Sequence, residues 1–212
     1  NKTMGRREWV PLGDVVAETK EKLGTRPDYI TLSGSGEPTL YSRIAELIDC
    51  IRGITDIPVA VLTNGSLLCQ KEVREQIAGA DVVIPSLDAG NACMFSIVNR
   101  PHKNISFAQM LEGLIKFRQE YRGKYWLEIL LLGGYTACGT EVDMLAACAR
   151  KIRPDRVQLN TVTRPPAEKY AASVPQQRLQ VFAKRFDPPV DVIAAFPHRN
   201  SEPGICSGPE DI

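Results

Sequence analysis

The sequence predicts an α/β fold in which helices cover a parallel sheet. Short apolar segments alternate with longer amphipathic ones along the chain, and turn residues follow nearly every apolar segment. The short segments are apolar on both faces, which is typical of parallel strands buried beneath helices. Because crossovers between parallel strands are right-handed, two arrangements remain possible, a barrel and a doubly wound sheet.

The first half of the chain predicts three helices that alternate with three strands. Apolar residues recur at helical spacing in the helices, as at Ile44, Leu47 and Ile51, and β-branched residues are frequent in the strands. The expected order is a helix over residues 12–23, a strand over 29–32, a helix over 44–51, a strand over 58–63, a short helix around Val73 and Ile77, and a strand over 82–88.

The second half continues this alternation after one interruption. A helix carries Phe107 and Phe117, and the segment between Asp88 and that helix is predicted as a long loop through Phe95 and His102. Loops of this length are often functional or mobile, so this one is a candidate lid. The remaining elements are expected to be a strand over 126–132, a helix over 142–152, a strand over 157–160, a helix near 176–185 and a strand at 190–195.

Composition places the chain among ordinary globular proteins. Its 212 residues are 43% hydrophobic, and 26 Lys and Arg against 25 Asp and Glu give a net charge of +1. That balance provides no basic field for nucleic acid, and no apolar run approaches the roughly 20 residues of a membrane span. The six cysteines show neither C-x-x-C nor zinc-ribbon spacing, so we expect a cytoplasmic protein with reduced thiols.

The two ends of the chain lead to a separate expectation. The chain begins at Asn1 rather than at a methionine, and the residues from Ser207 to Glu210 form a capping-box pattern with Pro209 inside the first turn. This pattern is how a helix begins. We therefore expect these residues to be the middle part of a longer protein.

Polar residues follow five consecutive predicted strands. The carboxyl ends of parallel strands meet at one edge of the sheet, where α/β folds bind their ligands. The five segments are 33–38, 63–65, 86–88, 133–134 and 160–164. Their hydroxyls, amides, carboxylates and glycine backbone suit a polar ligand that carries an amine, a carboxylate and hydroxyl groups.

Glu37 is the most informative of these residues because Pro38 follows it. A residue before proline is restricted to extended geometry, which holds the carboxylate in few directions beside the carbonyls of Gly34 and Gly36. This arrangement suits an ammonium group. The alternative is that the glycines only turn the chain and that Glu37 caps the next helix. A Rossmann site is disfavoured because no G-x-G-x-x-G opens a helix.

The sequences of these strand ends resemble those of the radical S-adenosylmethionine enzymes. Ser-Gly-Ser-Gly-Glu-Pro-Thr-Leu at 33–40 is similar to their GGEP-like motif, and Thr63-Asn64-Gly65 and Ser86-Leu87-Asp88 follow at the next two strand ends. The resemblance extends over residues 29–164. It is greatest to the short enzymes grouped with the wyosine-forming tRNA enzymes and with iron-sulfur oxidoreductases. The segments 99–101 and 126–128 of this chain also resemble segments of those enzymes.

The resemblance implies a partial (β/α)6 TIM-like barrel with parallel strands and outer helices, and a single core domain over residues 1–212. It implies a [4Fe-4S] cluster and S-adenosylmethionine, whose reductive cleavage gives a 5′-deoxyadenosyl radical that abstracts hydrogen from a substrate. Three cysteines in C-x-x-x-C-x-x-C hold the cluster in such enzymes. This sequence lacks that motif, so we expect the cluster ligands upstream of Asn1 and assign no metal ligand here.

The resemblance also implies a set of cofactor-binding residues. Four of them would meet the methionine ammonium, namely Ser35, Gly36, Glu37 and Pro38. Thr63 and Asn64 would lie under the ribose or the carboxylate, and Ser86 and Asp88 would reach the sugar hydroxyls or the substrate. Gly133 and Asn160 would flank adenine and substrate. No catalytic side chain is assigned.

Three residues keep a second interpretation. Asp88 is equally consistent with a turn or capping role. His102 is expected to be a surface residue rather than an acid or a base. Two prolines follow Arg164 and stiffen its backbone. Arg164 is therefore suited to bind a carboxylate or phosphate at the mouth of the barrel, by which we mean the edge formed by the carboxyl ends of the strands, although a solvated arginine explains it nearly as well.

Two classes of function follow from these interpretations. The first is a radical enzyme that modifies a tRNA base, a protein or a small molecule and receives electrons from a donor such as ferredoxin or flavodoxin. The net charge gives tRNA no support. The alternative is a non-redox barrel that binds a nucleoside or an amino-acid-like ligand.

Overall fold

Six parallel strands form one sheet in a computed structural model that describes residues 3–25, 27–34, 36–163 and 172–193. The strands lie in the order of the chain, so each crossover leads to the neighbouring strand. They are β1 (Ile30–Leu32), β2 (Val59–Thr63), β3 (Val82–Pro85), β4 (Lys124–Leu131), β5 (Arg156–Thr161) and β6 (Val190–Val192). This continuous order without closure is the predicted partial barrel and excludes the doubly wound alternative.

Helices cover the outer face of this sheet. They are α1 (Leu12–Lys22), α2 (Ile44–Arg52), α3 (Lys71–Ile77), α4 (Ala92–Val98), α5 (Phe107–Glu120), α6 (Gly139–Ile152) and α7 (Gln176–Ala183). The apolar stripe of α2 is fully buried, and Ser106 and Gln109 form a capping box that begins α5. Among the described residues, none of these helices has the length and apolarity that crossing a bilayer requires.

β4 and β5 bury one face and leave the other partly covered. On β4 the residues beneath the helices, Tyr125, Leu127 and Ile129, are buried, whereas the alternate side chains of Glu128 and Leu130 are only partly covered. Because successive side chains on a strand point to opposite faces, these alternate residues line the inside of the partial barrel. The sheet therefore presents an inner wall that a ligand can reach.

The segment after Asp88 differs from its prediction as a long loop. It contains α4, whose first turn is capped by Asn91, since the Asn91 side chain accepts a hydrogen bond from the Met94 amide at 2.9 Å. Phe95 is buried against Phe107, with 5.8 Å between the ring centroids. The candidate lid is thus reduced to the connection between α4 and α5, and the long-loop prediction was wrong because it missed the asparagine cap.

A buried arginine joins α3 to α5 behind the sheet. The side chain of Arg74, in a residue that is 6% exposed, binds both carboxylate oxygens of Glu120 at 2.7 and 3.1 Å and also donates to the Leu68 carbonyl. Gly113 allows the α3 side of this contact to approach α5 closely. A Cβ atom at Gly113 would lie 2.4 Å from the amide nitrogen of Cys69.

We expect Gly113→Ala to lower the free energy of unfolding by about 2 kcal/mol or more, because the added methyl group meets backbone atoms that cannot rotate away. Gly13→Ala is the matched control, since Gly13 lies in α1 with nothing within 4 Å of its Cβ position. The control should raise the free energy by about 0.5–1 kcal/mol. Urea unfolding of both variants measures the two changes, and equal effects would contradict the close packing.

Candidate functional site

A hollow of about 940 Å³ lies at the carboxyl ends of β1 and β2. The first strand end contributes Gly34, Gly36 and Glu37, and the second contributes Asn64. The connection between α4 and α5 closes another side with Arg100 and other residues of that segment. The hollow is therefore at the edge of the sheet where the polar strand ends predict a ligand site.

The Glu37 carboxylate connects the first two strand ends. Its Oε1 atom accepts hydrogen bonds from the amide and hydroxyl of Thr39, at 3.1 and 2.7 Å, and from the hydroxyl of Thr63 at 2.5 Å. Its Oε2 atom accepts from the Asn64 amide at 2.7 Å. Because each carboxylate oxygen has two lone pairs, Oε2 keeps the capacity to accept one more donor.

This geometry includes both roles that the sequence suggests for Glu37. The bond from the Thr39 amide makes Glu37 the N-cap of a 3-10 turn over Pro38–Leu40, which is the capping interpretation. The bonds from Thr63 and Asn64 fix the carboxylate at the edge of the hollow, as an ammonium receptor requires. The two roles are compatible, since capping orients the same side chain that lines the hollow.

Thr63 and Asn64 differ in their exposure to the hollow. Thr63 is 4% exposed and lies behind Glu37, where its hydroxyl donates to the carboxylate and accepts from the Gly65 amide. Asn64 is exposed in the hollow, and its side-chain oxygen accepts from the Ser66 amide at 2.9 Å. Gly65 adopts a φ of +72°, a conformation that favours glycine, and so turns the chain directly after the strand.

Asp88 lies at the end of β3 and is tied to both sides of the site. It accepts hydrogen bonds from the Leu130 amide and from the Asn99 side chain, each at 3.1 Å. Burial raises the pKa of Asp88 to about 6, the bond from Leu130 opposes that rise, and the nearby Glu128 carboxylate adds to it. Since Asn99 lines the hollow, Asp88 supports its wall from behind.

A second set of polar residues lies on the inner wall of the partial barrel, on β4 and β5 and directly after β3. Ser86 is paired with Glu128 in a parallel bridge, and the Asn160 side chain donates to Glu128 at 3.3 Å. The sequence prediction did not include Glu128 among the site residues. Its signal was available, because it is the one acidic residue within the otherwise apolar second half of β4.

The predicted site residues thus separate into two groups. Gly36, Glu37, Pro38 and Asn64 line the hollow, and Ser86, Asp88 and Asn160 lie along the inner wall. Gly133 contacts Ala172 through a backbone bond of 2.9 Å, where a Cβ atom would come within 3.1 Å of the alanine methyl group. Ser35 and Arg164 lie outside the described residues.

The sequence prediction missed the apolar part of the hollow. Phe95, Ile105 and Met110 come from α4, α5 and the segment between them, and Trp9 comes from the chain before α1. Trp9 is 48% exposed, and the Arg7 guanidinium lies 3.6 Å from its ring centroid. No local pattern in the sequence brings these residues together, because they come from separate segments and Trp9 is far along the chain from the other three.

Comparison with known proteins decides the family. The profile of the Radical SAM superfamily matches residues 1–161. The chain belongs to the radical SAM superfamily. This confirms the family resemblance drawn from the strand-end motifs.

Two relatives show how much of a longer protein this radical SAM chain spans. A Brachyspira hyodysenteriae protein named GTPase Obg is 44% identical over 176 residues, which are 82% of this chain and 26% of that protein. A UPF0026 protein of Methanocaldococcus jannaschii is 34% identical over 174 residues, 80% of this chain and 54% of that protein. The chain therefore spans about half or less of the length of these two relatives.

Solved structures share the radical SAM fold at low sequence identity. A domain of pyruvate-formate lyase-activating enzyme from Bacteroides vulgatus has a TM-score of 0.59 and 16% identity, and covers 79% of this chain and 98% of that one. Streptococcus suis SuiB bound to S-adenosylmethionine has a TM-score of 0.64 and 12% identity, and the match covers 88% of this chain and 44% of the SuiB chain. These likenesses establish the fold.

The described part of this radical SAM chain holds no ligand set for a metal. Within residues 3–25, 27–34, 36–163 and 172–193, no three His, Cys, Asp or Glu side chains are grouped to hold an ion. Cys50, Cys69, Cys93, Cys138 and Cys148 are all unbridged, and Cys148 is buried. The described residues therefore do not themselves fit an iron-sulfur cluster.

We expect the ionisation of Asp88 to lower stability as the pH rises. Its pKa is higher in the folded protein, about 6, than the ordinary value of 3.8, so the stabilising contribution of the proton is complete below pH 4 and is lost as the pH rises through about 6. Asp88→Asn cannot ionise. Its free energy of unfolding relative to the unchanged protein should therefore increase between about pH 4.5 and pH 7, measured by urea unfolding, whereas a constant difference would contradict the raised pKa.

Proposed function

We propose that the protein is a radical SAM enzyme core whose hollow at the ends of β1 and β2 binds S-adenosylmethionine. In this proposal, S-adenosylmethionine together with a [4Fe-4S] cluster, which the described residues do not hold, would supply hydrogen abstraction from a substrate through a 5′-deoxyadenosyl radical. We further propose that residues 1–212 form a single core domain. The observation that carries the proposal is the fixed Glu37 carboxylate at the hollow of a chain in this superfamily.

The polar side of the hollow suits the methionine part of the cofactor. Glu37 is held by donors on two strand ends, so its Oε2 atom would accept an ammonium hydrogen without moving. The backbone of Gly34 and Gly36 lines the hollow beside it. Ser35 would complete this part of the site, as the family motif implies.

The apolar side of the hollow suits the adenine. Phe95, Ile105 and Met110 are among its lining residues, and we propose that the adenine packs on this apolar part of the lining. A ligand with one charged end and one flat apolar end therefore matches the lining. SuiB, which has a similar fold, binds S-adenosylmethionine, and this supports the choice of cofactor.

The inner wall would hold the substrate beside the cofactor. Ser86, Asp88, Glu128 and Asn160 offer hydroxyl, carboxylate and amide groups on three adjacent strands. Asn160 donates to Glu128, and Asp88 accepts from the Leu130 amide and from Asn99, so these three side chains are oriented before any ligand binds and can position a substrate at little entropic cost. Gly133 and Asn160 would flank the boundary between adenine and substrate.

The identity of the substrate and the partners are also proposals. The family resemblance favours modification of a tRNA base or of a protein in the cytoplasm, with ferredoxin or flavodoxin as the electron donor. The name GTPase Obg transfers no nucleotide hydrolysis to this chain, because the sequence contains no G-x-x-x-x-G-K-[ST] motif and spans 26% of that protein.

Anaerobic iron-sulfur reconstitution of the protein expressed from its complete reading frame tests the proposal. We expect an absorbance spectrum of a [4Fe-4S] cluster, a paramagnetic signal that shifts when S-adenosylmethionine is added, and 5′-deoxyadenosine when a reductant is present. A protein that takes up no iron but binds the cofactor or a nucleoside would instead support the non-redox binding barrel.

Glu37→Ala should weaken S-adenosylmethionine binding by about 10- to 100-fold, because a hydrogen bond to a charged group contributes about 1.5–3 kcal/mol. The same variant should form no 5′-deoxyadenosine. Glu112→Ala is the matched control, since Glu112 is an exposed α5 residue whose carboxylate pairs with Lys116. Calorimetry measures the affinity, and unchanged binding by Glu37→Ala would place the cofactor elsewhere.

A further inference from the structure

A second hollow, of about 850 Å³, lies between the carboxyl ends of α5 and α6, at the end of the barrel opposite the mouth. Five cationic side chains line it: Arg118, Arg122, Arg150, Lys151 and Arg153. A smaller hollow of about 550 Å³ adjoins it, shares two of these arginines and adds Lys124. Six cations therefore surround one continuous depression on a chain whose net charge is only +1.

Most of these cations have no carboxylate partner. Among the described residues, Arg122, Lys124, Lys151 and Arg153 form no ion pair, and Arg150 lies 3.7 Å from Asp187. Arg118 pairs with Asp155 at 2.5 Å. The positive potential of the depression is thus only partly neutralised by the protein.

The two carboxylates in the depression accept hydrogen bonds from backbone amides near the beginnings of two strands. Asp81 accepts a hydrogen bond from the Val59 amide at 2.8 Å, and Asp155 accepts from the Tyr125 amide at the same distance. These bonds satisfy the first amide of β2 and the second amide of β4 and direct the carboxylates towards the sheet. The acids therefore have a structural role that does not depend on the surrounding cations.

Helix dipoles explain only part of this charge. Cations in the last turn of a helix interact favourably with its carboxyl end, which accounts for Arg118, Arg150 and Lys151. Arg122 lies beyond the end of α5. Arg153 follows α6 in the left-handed conformation with a φ of +59°, where glycine or asparagine is the usual residue. The depression has more positive charge than its two helix ends require.

We infer that this depression binds the phosphate backbone of a nucleic acid. Four of its six cations are arginines, whose planar guanidinium groups match phosphate oxygens in pairs. Their spread over two adjoining hollows fits successive phosphates of a polymer better than one small anion. The site is at the opposite end from the mouth, so it would tether the polymer independently of the chemistry proposed above.

The test is fluorescence anisotropy of a labelled single-stranded RNA across a salt series. The variant Arg122→Gln/Lys151→Gln/Arg153→Asn removes three unpaired cations, and asparagine tolerates the left-handed backbone at 153. We expect the slope of log affinity against log salt to become shallower by about 2, since each lost phosphate contact contributes about 0.7 for single strands. Affinity at low salt should fall at least tenfold.

Lys20→Gln/Lys22→Gln/Lys71→Gln is the matched control, because it removes the same charge from exposed positions on α1 and α3. It should leave the slope and the affinity unchanged, and thermal unfolding should show that both triple variants are folded. Equal losses in the two variants, or no RNA binding at low salt, would overturn the inference. Equally tight binding of poly-L-glutamate at the same site would overturn it in favour of an acidic protein partner.

Discussion

The hydrogen bonds that end on the Glu37 carboxylate fix the geometry of the mouth. They join the loop after β1 to the end of β2, two segments that the sheet itself leaves unconnected beyond its last paired residues. Two of the donors are hydroxyl groups, and a carboxylate accepts such bonds more strongly than a neutral oxygen does. The position of the glycine backbone beside Glu37, and therefore the shape of the hollow, depends on this one side chain.

The alternation of side chains along the strands divides the molecule into a stable part and a functional part. Residues on the outer face of β4 and β5, such as Leu127 and Leu159, are fully buried beneath helices and stabilise the fold. Residues on the inner face, such as Glu128 and Asn160, are polar and hydrogen-bonded to each other. Changes in ligand preference can therefore occur on the inner face without loss of the core.

The sequence could predict what depends on local pattern. Hydrophobic periodicity located the strands and most helices, and polar strand ends located the mouth, because both signals are carried by neighbours in the chain. The hollow's apolar side, formed by Phe95, Met110 and Trp9, depends on packing between segments far apart in sequence. The buried bond from Thr63 to Glu37 and the raised pKa of Asp88 likewise arise only after the strands are adjacent.

The outermost strands of the sheet are its shortest. β1 and β6 have three residues each, and among the described residues each pairs on one side only, so their outer edges expose few backbone donors and acceptors. A strand from another molecule needs a longer ladder to bind with useful affinity. Within the described residues, the two outermost strands therefore offer little backbone to which a strand of another molecule could pair.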